Sequence, residues 1–116
     1  MNIETLREYC IAKKGTLETF PFGENTLVFK VAGKMYLLTD VTSADLSFNI
    51  KCDPEKAAEL RERHSCVTPG WHMNKKHWNT IAVDGSVSDS TLREWIDHSY
   101  DLVVASLPKK QKEELA

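Results

Sequence analysis

The sequence predicts a single α+β domain, with strands grouped between helices. Strict alternation is the first observation. Leu46, Phe48 and Ile50 alternate with Ser47, Asn49 and Lys51, the period-two pattern of a strand with one packed and one wet face. Leu27, Phe29 and Val31 alternate with Thr26, Val28 and Lys30, and Lys34–Val41 follows across Ala32-Gly33. That is a hairpin pattern, with Gly33 able to take the positive φ a tight turn needs. Helical spacing at both ends of the chain is the second observation. Ile3, Leu6 and Cys10 make one stripe; Leu92, Ile96, Ser99 and Val103 make another, widened by Trp95 and Leu102. The third is length. At 116 residues with no repeat or linker, residues 1–116 fit one domain with a real core.

Taken in order, residues 2–14 read as a helix. Asn2 caps it, Glu4 and Glu8 lie early, Lys13 and Lys14 lie late, and Gly15 ends it, as helix capping and the helix dipole favour. Residues 16–20 read as a short strand and 21–25 as a turn. The hairpin 26–41 and the strand 46–51 follow. Asp53-Pro54-Glu55 starts a second helix, with Asp at the cap and Pro in the first position. It runs to Arg63, with Ala57, Ala58 and Leu60 as a modest apolar face and a charged outer face. Residues 77–83 read as a strand closed by Asp84-Gly85. The last helix begins between Ser88 and Thr91, where Thr91-Leu92-Arg93-Glu94 fits a capping box. Pro108 stops or kinks it, and residues 109–116 read as a charged, frayed tail.

Composition narrows the function classes. No apolar run approaches a membrane span, and Glu4, Arg7 and Glu8 interrupt any leader-like stretch at the start. Cys10, Cys52 and Cys66 are odd in number and widely spaced, so free thiols and a cytoplasmic location are expected. Net charge is −2 and the isoelectric point about 6.1, unlike the basic balance usual in nucleic-acid-binding modules. The distribution softens that objection. Asn25–Thr39 carries Lys30 and Lys34 with no acid; Arg63–Val83 carries Arg63, Lys75 and Lys76 with no acid. A basic face on a mildly acidic protein follows.

Two kinds of chemistry fail on spacing. His72 and His77 lie five apart, on opposite faces of a strand and well apart on a helix. With His64 and Cys66 they do not make a transition-metal site, so no metal and no cofactor is expected. Cys66 and His64 lack a specified orienting group and oxyanion hole, and GxSxG, P-loop and GxGxxG motifs are absent. The expectation is a protein that is not an enzyme.

The densest cluster of recognition-type side chains is Pro69-Gly70-Trp71-His72-Met73-Asn74-Lys75-Lys76-His77-Trp78-Asn79-Thr80-Ile81-Ala82-Val83. It reads in two ways. One is a Pro-Gly turn entering a strand, its Trp rings in the core. The other is a contact surface, with Lys for charge, Asn and His for hydrogen bonds and an exposed Trp to stack a base.

With these residues laid out, the chain resembles the MmcQ/YjbR family of small bacterial proteins. The resemblance rests on Phe22-Gly23 before a hairpin, Val28–Tyr36, the joint Ile50-Lys51-Cys52-Asp53-Pro54-Glu55, the segment Pro69–Thr80, and Ser99–Val103 before Leu107-Pro108-Lys109-Lys110. Trp71 stands where a Tyr is expected after Pro-Gly, and Phe22 where many relatives have Trp. The resemblance implies a CyaY-like or frataxin-like α/β sandwich: one antiparallel sheet with helices packed on one face. It also implies DNA binding through a double-wing arrangement of hairpins. Iron binding does not carry over, because Glu4 and Glu8 alone make no dense carboxylate ridge.

The combined expectation is a monomer that binds double-stranded DNA. Lys30, Lys34, Lys75 and Lys76 would touch phosphate, and Trp71, His72 and Asn74 would make closer contacts. The alternatives are a protein-interaction or chaperone-like module using the sheet face and Trp-rich loop, and a small-ligand pocket under that loop.

Overall fold

A computed structural model describes residues 1–115. In chain order the elements are α1 (Ile3–Ile11), β1 (Thr16–Thr19), β2 (Thr26–Val31), β3 (Lys34–Asp40), β4 (Ser47–Lys51), α2 (Pro54–Arg63), β5 (Val67–Pro69), β6 (Trp78–Ala82), α3 (Asp89–Ala105) and α4 (Lys109–Leu115). The strands form one sheet in the order β1-β2-β3-β4-β6-β5, and every neighbouring pair is antiparallel. The α+β class and the single antiparallel sheet expected from the sequence are both present.

Helices cover one face. Leu6 and Cys10 of α1, Ala57 and Leu60 of α2, and Leu92, Trp95, Ile96 and Val103 of α3 join Leu27, Phe29, Leu37, Phe48, Ile50 and Ile81 in one buried cluster. The alternation argument therefore chose the correct inward residues, with Leu46 only half-buried. Val28, Leu38 and Trp78 form a smaller cluster with Met35 and Met73 packed on it. These residues alternate with the core set, so they lie on the face the helices leave open.

Local chemistry fixes the ends. Asn2 accepts from Thr5 N and Thr5 Oγ1 accepts from Asn2 N, a reciprocal cap on α1. Asp53 caps α2 with Pro54 in the first position, as expected. Ala32 and Gly33, at φ 49° and 78°, both take the left-handed conformation at the β2–β3 turn, which matches the twist of a two-residue hairpin.

The structure sharpens or corrects four features. α1 stops at Ile11, so Lys13 and Lys14 lie beyond its cap. The Lys13 ammonium pairs with Asp97 and sits over the Tyr9 and Tyr100 rings. Among the caps the sequence allowed between Ser88 and Thr91, Ser88 is the one used: its side chain accepts from Thr91 N at 3.2 Å. Val67–Pro69 is an edge strand that the sequence reading left unassigned. Lys109–Leu115 is a helix rather than a frayed tail, and Leu115 packs against the core. Ala116, the last residue of that expected tail, lies outside the described residues.

All three cysteines are free and buried. Burial pushes the Cys10 thiol from its ordinary 9.0 up to about 12 and Cys52 up to about 11. The thiolate is the nucleophile, so a thiol reagent at pH 8 should modify none of the three in the native protein and all three after denaturation. The linkage has a sign. The folded state holds these protons more tightly than the unfolded chain, so stability falls as pH rises above the ordinary value. Melting temperature measured in steps from pH 8 to 11 should decline progressively from about pH 9. Rapid native-state labelling of Cys10 would contradict its burial.

Candidate functional site

The open face of the sheet is built by residues that alternate with the core set. Lys30 of β2 lies opposite Met35, and Lys51 of β4 opposite Trp78. Phe29 and Ile50 point into the core, so Lys30 and Lys51 point out. In the middle of the same face, Asn49 lies opposite Thr80, and Thr80 opposite Thr68. Thr80 Oγ1 donates to Asn49 Oδ1 and accepts from Trp71 N at 3.0 Å.

Two hairpins end at the same end of the sheet. The β2–β3 tip carries Lys30 and Lys34. The last β3–β4 pair is Leu37 with Ile50, and β4 ends one residue later at Lys51, so the Lys34–Met35 end of β3 runs on past β4. The β5–β6 hairpin closes at Pro69 opposite Asn79, and residues 70–77 form its loop. Lys51 lies between these two tips, at the end of β4.

The loop is firmly seated. Gly70 N donates to Trp78 O at 2.9 Å. A Cβ on Gly70 would stand 2.8 Å from Trp78 Cβ, so only glycine permits this approach of loop to strand. His72 takes φ 58° to turn the chain. Asn74 Oδ1 accepts from Lys76 N at 3.0 Å, and its carbonyl accepts from His77 N and Trp78 N. Arg61 of α2 clamps the loop's return: its Nε donates to Asn79 Oδ1 at 2.6 Å, and Nη2 donates to Trp78 O at 3.3 Å and to Lys75 O. Asn79 is fully buried and donates to Ala57 O at 3.2 Å.

The expected site residues therefore have unequal roles. Trp71 is 70% exposed, whereas Trp78 is buried, so each reading of the Trp pair holds for one ring. His72, edge-on to Trp71 at 4.8 Å between ring centroids, is also exposed. Asn74 is chiefly a turn former. Lys75 Nζ donates to Gly70 O at 3.1 Å, which folds it back on the loop and leaves two of its three donors. Lys34 and Lys76 are exposed. Among the described residues, no ion pair engages Lys30, Lys34, Lys51 or Lys76.

Charge separates along the strands. Asp40, opposite Thr26, lies at the other end of the sheet, as do Asp45 and Asp84 in the loops flanking Ser47 and Ala82. Asp53 and Glu55 follow Lys51 but belong to the start of α2, on the helix side. A groove of about 650 Å³ occupies the open face, walled by Trp71, His72 and Met73 at one side and Phe22 at the other, with Asn49 and Thr80 in its lining. Among the described residues, no three His, Cys, Asp or Glu side chains converge to hold a metal ion, and no helix is long and apolar enough to cross a membrane.

The YjbR family model matches residues 11–102. The chain belongs to the YjbR family. Its sequence is 33% identical over 112 residues to the uncharacterised protein YjbR of Escherichia coli K12, covering 97% of this chain and 95% of that one. It is 36% identical over 93 residues to the uncharacterised protein YbdF of Escherichia coli O157:H7, covering 80% and 76% respectively. The fold is similar to the crystal structure of Deinococcus radiodurans protein DR2400, with a DUF419 domain, at TM-score 0.93 and 42% identity, covering 98% of this chain and 87% of that one. A Pseudomonas syringae protein shares the fold at TM-score 0.75 and 24% identity, covering 88% of this chain and 98% of that one. The YjbR match spans the β2–β3 hairpin, Lys51 and the whole Trp71–Lys76 loop.

Sequence reasoning passed over Lys51, Phe22 and Arg61 as functional residues. Alternation already assigned Lys51 to the wet face, so that signal was present. Arg61 sat in a run of helix charges and nothing local distinguished it from a solvated side chain.

Proposed function

We propose that this YjbR-family protein binds double-stranded DNA with the end of the sheet where its two hairpins meet, and that it has no catalytic role. One observation carries the reading. Lys30 and Lys34 on one hairpin, Lys76 and Lys75 on the other, and Lys51 between them share one end of the molecule, while Asp40, Asp45 and Asp84 lie at the opposite end. Uncompensated lysines on two hairpins suit a phosphate backbone, where neutralised phosphates release counterions and supply affinity. A β-ribbon is one of the two elements that fit a DNA major groove, so a hairpin tip carried past β4 is suited to it. The net charge of −2 limits non-specific affinity but not a field focused at one end. His72 stands exposed on the second hairpin, beside the lysines that meet phosphate.

Amide-shift mapping tests the surface. Duplex DNA added at low salt should move the amides of residues 30–35, Lys51 and residues 71–77, and leave Asp84 and the α3 N-terminus unmoved. Shifts confined to α1 and α3, or none at all at low salt, would overturn the reading and favour a protein partner for this face.

A further inference from the structure

We infer that the groove on the open face is a binding subsite for one unpaired nucleobase, so that the protein prefers single-stranded or locally opened DNA to a closed duplex. This rests on the nucleic-acid reading above and names which part of the ligand the groove receives. Shape carries the argument. A duplex is read by elements that project into its grooves, but this face is concave between Trp71 and Phe22. At about 650 Å³ the groove has the size of small-molecule sites. A base held inside a duplex cannot enter it; a base taken out of the stack can.

The lining suits a base. Trp71 and Phe22 are 70% and 64% exposed, and exposed aromatic faces are stacking platforms that tolerate any base. The backbone that carries Trp71 is fixed. The Trp71 backbone N–H is held by Thr80 Oγ1, and the preceding Gly70 is packed against Trp78. Thr80 also occupies Asn49 Oδ1, so the Asn49 amide keeps two N–H donors without a protein partner in a groove it lines. Two donors fit a base carbonyl, such as thymine O4, rather than an amino group.

Charge gives the strand a direction. The Lys75 ammonium is 3.1 Å from Gly70 O, one residue from the Trp71 wall, so a phosphate leaving the groove there meets a cation. Asp40 lines the opposite end. Its carboxyl is held below the usual range by the Thr42 hydroxyl and backbone N–H, so it stays ionised and repels phosphate from that side. The base therefore enters with its phosphates toward the lysine-bearing end.

The test compares oligo(dT) with a duplex of equal phosphate number, at low salt, against wild type, Trp71→Ala and Lys34→Gln with Lys76→Gln. Trp78 and Trp95 are buried, so quenching of tryptophan emission reports chiefly on Trp71. The expected result is oligo(dT) bound at least tenfold more tightly than duplex, with quenching. Trp71→Ala should lose about 5- to 150-fold on oligo(dT), the range for one stacked base, and less than twofold on duplex. The lysine variant should weaken both ligands. Duplex binding without single-strand preference, or equal losses on both ligands in Trp71→Ala, overturns the subsite and leaves the DNA reading standing. Binding of neither ligand by wild type overturns both.

Discussion

Replacing Phe48 with alanine should destabilise the protein by about 3–5 kcal/mol, the usual cost of truncating a buried aromatic ring. Phe48 is 1% exposed and lies in register with Thr39 on one side and Ile81 on the other. Both flanking strands are held by their own neighbours, and α1 and α3 close the face above. The cavity has little room to collapse, which places the cost in the upper half of such ranges. Thermal unfolding should show a melting temperature lower by about 10–20 °C. A loss under about 1 kcal/mol would mean that the β4 alternation had been assigned to the wrong faces.

That alternation explains how much of the fold was legible. Leu27, Phe29, Phe48, Ile50 and Ile81 read as inward from period two alone, because one face of the sheet is covered and the other is not. The rest of the fold depends on signals that periodicity does not carry. β3 shows it best. Tyr36 should by alternation face outward, yet Tyr36 and Leu37 both join the core. The register shifts between Phe29 and Lys30, so Tyr36 is the extra residue of a bulge, and a bulge turns two successive residues the same way. Val67–Pro69 is too short for a period and ends in proline. α4 has one apolar anchor, Leu115, and no stripe.

The site was legible in its residue types and not in its assembly. The acid-free stretches pointed to Lys30, Lys34, Lys75 and Lys76. Nothing in the sequence said that both hairpins end on the same side of β4, because that depends on the crossover that inserts β6 between β4 and β5. The division of labour within the loop was equally hidden. Lys75 and Asn74 look alike as contact residues, but Lys75 spends one donor on Gly70 O and keeps two, while Asn74 serves the turn. Lys76, its side chain exposed and unpaired, is left as the freer cation.

The second large effect is electrostatic. Changing Lys34 and Lys76 together to glutamine removes one free cation from each hairpin. Each phosphate contact contributes about 0.9 to the slope of log affinity against log salt. Two lost contacts should therefore reduce that slope by about 1.8 and weaken duplex binding about 60-fold at 0.1 M salt. Folding stability should change by less than about 0.5 kcal/mol, since both side chains are exposed and unpaired. A matched change of two lysines on α4, Lys109→Gln with Lys112→Gln, should leave the slope unaltered.

The measurement that bears most directly on the lysine-bearing end of the sheet is the salt dependence of wild-type binding to duplex DNA. Lys30, Lys34, Lys51 and Lys76 supply four phosphate contacts, so the slope should be about −3.6, falling to about −1.8 in the Lys34→Gln, Lys76→Gln variant. No binding at low salt, a slope near zero, or the same slope in both proteins would contradict a DNA contact at this surface.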